Sequence, residues 1–149
     1  MSNRLNPYAI AQDAFQPLMA LEERFKAGPL EESLIELVKT RASQINGCAY
    51  CLHMHTHDAL EAGERAERLF LLDAWRESVM YTPKERAALA WTEALTLIAD
   101  TGAPEADYEG LKAQFSETEI VDLTLLITTI NAWNRIAIGF RSHHPRDKA

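Results

Sequence analysis

The segment Ser116–Phe140 reads SETEIVDLTLLITTINAWNRIAIGF. Within it, Ile120–Phe140 has the length and apolarity of either a membrane span or a helix buried inside a protein. Asp122, Asn131, Asn134 and Arg135 interrupt the run, and such groups are expensive in lipid. Ser116 and Glu119 form a capping box, the local signal of a helix start. The segment therefore reads as a long buried helix, apolar on nearly every side, at the centre of a fold or at an interface.

The same punctuation recurs upstream. Thr82-Pro83-Lys84-Glu85 is a second capping box with proline in the first turn, opening a helix that runs to about Thr101, before Gly102. Pro104 opens a short helix to Phe115. Pro7 to Ala27 reads as one helix or a pair, ended by Gly28-Pro29. Leu30 to Asn46 is the next, closed by Gly47, and Cys48 to Ala62 follows, closed by Gly63. Glu64 to Tyr81 continues as helix with a break near Asp73. No stretch alternates like a strand. The expectation is an all-α, compact fold of six to eight helices in a single domain over residues 1–149.

Composition narrows the function classes. The chain has 149 residues, 47% apolar and 25% charged, which is an ordinary globular balance. Fifteen basic against 22 acidic side chains leave a formal charge of −7, with no basic stripe of the kind a nucleic-acid partner demands. Two cysteines cannot staple a small secreted domain. The opening stretch, MSNRLNPY, has neither the apolar core nor the cleavage site of a leader. The expectation is a cytoplasmic protein with no membrane or nucleic-acid partner.

Both cysteines and three of the five histidines fall in Asn46–Asp58, NGCAYCLHMHTHD. At about 100° per residue, with Cys48 at zero, Cys51 lies near −60° and His55 near −20° on a helical wheel. One face thus carries Cys48, Cys51 and His55, and His53 and His57 point the other way, toward solvent. A thiolate is the reactive form of cysteine, and a helix N-terminus together with an imidazole favours it. A Cys48–Cys51 bond would require the first turn to adjust, because neighbours three apart on a helix keep their Cβ atoms about 5–6 Å apart. Dipole proximity alone favours Cys48 as the nucleophile, whereas the imidazole one turn on favours Cys51. The bland alternative is a pair of small core residues beside a satisfied core histidine.

Zinc is a rival use of Cys48, Cys51 and His55, with His143 or His144 completing the set. No second ligand pair at a defined spacing accompanies them, so no metal is expected. Covalent haem would need histidine where Leu52 stands. A thioredoxin-type site would need a βαβ pattern, which is absent. Trp91 and Trp133 occupy packing positions. Asn131, Asn134 and Arg135 read chiefly as partners for buried polar groups. The periodicity of Leu30, Leu34, Leu37, Val38 and Ile45 leaves Glu36 on the polar side of its helix.

The pattern Glu36, eleven residues, Cys48-x-x-Cys51, three residues, His55 resembles the AhpD-like alkylhydroperoxidase group of the carboxymuconolactone decarboxylase superfamily. It continues through Ala59 and Gly63. Arg41, Ser43, Asn46 and Gly47, then Arg68-Leu69, Trp75–Ser78 and Asn131–Arg135, are similar too, so the likeness covers about residues 30–140. It implies an all-helical fold assembled as a homotrimer or homohexamer. It also implies a peroxidase that reduces small organic hydroperoxides with no cofactor. Cys51 would be the peroxidatic thiol, Cys48 the resolving one, and His55 with Glu36 a proton relay. An external dithiol or protein reductant would restore the pair. Better-known members carry a histidine where this chain has Tyr50, so Tyr50, with Asp58 one turn from His55, are the supporting relay positions. The alternatives are a decarboxylase-type enzyme on the same fold and a non-enzymatic redox sensor.

Overall fold

A computed structural model describes residues 4–145. Among them are nine α-helices and no strand. The first is a single turn, α1 (Pro7–Ile10), followed by a 3-10 turn over Gln12–Phe15 and then α2 (Gln16–Ala27). Next come α3 (Glu32–Asn46), α4 (Ala49–Glu61) and α5 (Ala66–Leu71). The rest are α6 (Pro83–Thr96), α7 (Ile98–Thr101), α8 (Glu105–Lys112) and α9 (Glu117–Phe140). Seven of the nine exceed one turn, in keeping with the expected all-α class. No helix among the described residues is long and apolar enough to cross a membrane.

Both capping boxes form. The Thr82 and Ser116 side chains each accept from the backbone N–H three residues on, and Glu85 and Glu119 reach back to the cap N–H groups. The sequence reading departs from the structure where tertiary contacts take over. The segment Glu64–Tyr81 breaks near Asp73 as expected, α5 ending at Leu71 and a 3-10 turn covering Leu72–Ala74, but no helix resumes before Pro83. Arg86 donates to the Trp75, Ser78 and Arg76 carbonyls, supplying partners that a helix would otherwise provide. The helix expected to reach Thr101 breaks at Leu97, where the Thr101 hydroxyl takes the Ala94 carbonyl. The helix from Pro104 stops at Lys112, and the one expected over Leu30–Asn46, α3, begins at Glu32. The tail from Arg141 is helix-free to residue 145. Its last four positions, and the first three of the stretch read for a leader, lie outside the described residues.

The element that positions everything is α3. It packs against α4, α6 and α9 at once, and every residue from Leu34 to Thr40 is buried. One apolar cluster joins Phe25, Leu34, Val38, Trp91, Leu123 and Ile127 across α2, α3, α6 and α9. A second joins Leu37, Ala59, Leu72, Trp75 and Leu89 on the other side of α3. A helix enclosed in this way buries its polar face too, and those polar groups need partners. The asparagines of α9 supply some. Asn46 donates to Asn131 and Asn134 (3.0 and 2.9 Å), and Asn134 donates to Ser43 (3.0 Å). The remaining α9 surface turns outward, with Val121 and Leu125 exposed.

Candidate active site

Gly47 ends α3 in the left-handed conformation (φ 68°), which glycine adopts without a Cβ penalty. The reversal sets Cys48 outside the next helix. Cys48 is the N-cap of α4, extended at φ −86° and ψ 95°, and not its first residue as the sequence reading has it. That one-residue difference supplies the adjustment a disulfide requires. Cys48 and Cys51 are bonded, with Cα atoms 5.4 Å apart. Cys48 Sγ also accepts from the Cys51 backbone N–H at 3.3 Å, as a serine cap would. Both sulfurs are nearly inaccessible, packed with Ala137 of α9 and flanked by Tyr50.

His55, one turn beyond Cys51, is buried, and its Nδ1 lies 2.9 Å from Glu36 Oε2. Opposite a carboxylate, which only accepts, the hydrogen would sit on Nδ1 and leave Nε2 as the basic ring atom. Glu36 is buried, which corrects the surface placement that helical periodicity gave it. The polar side of α3 faces the cysteine helix, and the position is interior because α4 covers it. His53 and His57 are exposed as expected. His144 stacks on His53 with ring centroids 5.0 Å apart, on the exposed side of α4 and not with the cysteines.

A cavity of about 410 Å³ opens at this point. Cys51, His55, Glu36, Tyr50 and Asp58 line it, and Cys48 does not. Asp58 stands at the rim, half-exposed. Donor atoms of Glu36, His55 and Asp58 all lie within 4.8 Å of one another, so among the described residues this trio is the group whose chemistry could hold a metal ion.

Several lining residues escaped the sequence reading. Lys39, one turn beyond Glu36 and 6% exposed, pairs with Glu22 of α2 at 2.6 Å. Trp133 donates to the other Glu22 oxygen at 3.0 Å, so it is more than the packing residue expected. Tyr8 closes one side. Asn6 caps its short helix, accepting from the Tyr8 and Ala9 N–H groups. Burial, and then the nearby Tyr50 hydroxyl, push the Tyr8 phenol above its usual range. The lysine at i+3 from Glu36 was the one available signal; the contacts of Glu22 and Tyr8 are long-range and leave none.

The sequence profile described as the carboxymuconolactone decarboxylase family matches residues 12–94. The uncharacterized protein YdfG of Bacillus subtilis is 41% identical over 139 residues, covering 93% of this chain and 95% of YdfG. A crystal structure of a protein of unknown function from Agrobacterium tumefaciens, provisionally identified as antioxidant defence protein AhpD, superposes with a TM-score of 0.94. Its identity is 46%, over 98% of this chain and 100% of that one. The debrominase Bmp8 shares the fold, with a TM-score of 0.82 at 20% identity over 92% of this chain and 74% of its own.

Proposed function

The chain belongs to the carboxymuconolactone decarboxylase family, in its AhpD-like group, and on that premise we propose that it is a thiol-dependent peroxidase for small organic hydroperoxides. One observation carries the proposal: of the two bonded cysteines, Cys51 lines the cavity that also holds the His55–Glu36 pair.

In the reduced protein, His55 Nε2 takes the Cys51 proton while Glu36 stabilises the resulting imidazolium through Nδ1. The Cys51 thiolate attacks the distal oxygen of ROOH and the O–O bond breaks. The alkoxide leaves as ROH with the proton returned by His55, and Cys51 becomes a sulfenic acid. Cys48, as thiolate, then attacks Cys51 Sγ. Hydroxide leaves, is protonated to water, and the disulfide forms. An external dithiol reduces it and is itself oxidised, which suits the reducing cytoplasm. Tyr50, at the position where better-known family members carry histidine, and Asp58, one turn from His55, border the reacting groups and support the proton path. The active form is proposed to be a homotrimer or homohexamer.

The test is peroxide consumption with a dithiol reductant. The Cys51→Ser variant is expected to fall to the uncatalysed background. In Cys48→Ser, a sulfenic acid should be trapped on Cys51 after one equivalent of peroxide. Equal rates in wild type and Cys51→Ser would overturn the assignment, and modification of Cys48 alone would exchange the two roles.

A further inference from the structure

We propose that the cavity beside Cys51 selects uncharged hydroperoxides with an aromatic body, through a wall made by Tyr8, Met19, Met54 and Trp133. The inference rests on the peroxidase reading for its chemistry but not for its ligand. The volume, about 410 Å³, is that of a site for an organic molecule and not for hydrogen peroxide, which is little larger than water.

The wall has a defined chemistry. Phe15 lies between Tyr8 (centroids 4.7 Å apart) and Trp133 (6.1 Å, planes within 15°), propping both rings. Met19 and Met54 add thioethers, which favour contact with ring edges. Tyr8, Met19 and Met54 are 42%, 47% and 38% exposed, so a ligand seated here removes apolar surface from water. Tyr8 and Trp133 both lie outside residues 12–94, so the two aromatic rings of the wall, unlike Met19 and Met54, come from parts of the chain that the family profile does not cover.

Charge sets the second criterion. The lining sets four carboxylates, Glu22, Glu23, Glu36 and Asp58, against two lysines: Lys39 pairs with Glu22 at 2.6 Å, and the exposed Lys26 lies 3.4 Å from Glu23. Glu36 is shared with His55, and Asp58 stands half-exposed at the rim, with His57 Nδ1 at 3.8 Å and no lysine or arginine paired to it among the described residues. A substrate carboxylate would enter against uncompensated negative charge, and a neutral one would not.

The test has two arms. With dithiothreitol as reductant, kcat/KM is compared for cumene hydroperoxide, its para-carboxylate and tert-butyl hydroperoxide. Cumene hydroperoxide is expected to exceed its carboxylate by about tenfold, and Asp58→Asn to narrow that gap. Tyr8→Ala is expected to lower the cumene to tert-butyl ratio by about fivefold. Separately, the oxidised protein, which cannot turn over, is titrated with cumyl alcohol and its para-carboxylate, followed by tryptophan fluorescence and by chemical shifts of the Met19 and Met54 methyls. Preferred binding of the neutral alcohol without peroxide consumption would leave this inference standing and remove the peroxidase reading. Peroxide consumption with equal kcat/KM for all three substrates, unmoved by Tyr8→Ala, would do the reverse. Neither binding nor turnover would overturn both.

Discussion

At the scale of single residues, Cys48 has two jobs that a substitution series separates. Its sulfur closes the disulfide, and it also accepts from the Cys51 N–H as the N-cap of α4. Neither Cys48→Ser nor Cys48→Ala can form the bond, but serine keeps an acceptor for that N–H. We expect Cys48→Ser to be more stable than Cys48→Ala by about 1 kcal/mol in urea unfolding under reducing conditions. A difference of zero would mean that the cap contributes nothing. The same contact bears on reactivity. In the proposed cycle, a helix N-terminus directed at Cys48 would stabilise it as the thiolate that leaves when the disulfide is reduced at Cys51, whereas His55 would serve Cys51 itself. The two influences that point to different nucleophiles in the sequence thus belong to different steps of one proposed cycle.

At the scale of elements, Glu93 of α6 ties three parts of the chain together. Its carboxylate accepts from Arg41 of α3 (3.0 Å), from Trp75 (2.8 Å) and from Arg76 (2.7 Å). Burial alone would raise its pKa; the hydrogen bonds from Trp75, Arg76 and Arg41 outweigh that and hold it below the usual carboxylate range. A carboxyl depressed in the folded state contributes stability above its unfolded pKa, about 4.3, and loses it as pH falls through the folded value. Glu93→Gln should therefore melt at lower temperature than wild type at pH 7, and the gap should close as pH falls below the ordinary carboxylate range. A gap that is constant with pH would mean that charge at this position does not matter. This hub also accounts for the irregular chain after α5. Trp75 and Arg76 are held by Glu93 and by Arg86, so Leu72–Tyr81 follows side chains of α6 in place of helical periodicity.

At the scale of the whole molecule, α9 has one side in the core and another with Val121 and Leu125 outward, one turn apart. In a lone chain that face stays in water; in the proposed trimer or hexamer part of such surface is covered. Light scattering is expected to return a native mass of three or six times 16.8 kDa, and a monomer would contradict the proposed assembly. The local signals of this chain carry the helical class and most boundaries. Capping boxes at Thr82 and Ser116, glycines at 47 and 102, and the cysteine–histidine spacing on α4 act within a turn or two, so a linear sequence records them. The burial of Glu36, the Lys39–Glu22–Trp133 contact and the arrival of Tyr8 at the cavity were not legible in this way. Each depends on which helix covers which face, and helical periodicity assigns a polar face to solvent by default. Packing α3 on three sides overrides that default, because a central helix has no solvent face and must satisfy its polar side chains from its neighbours.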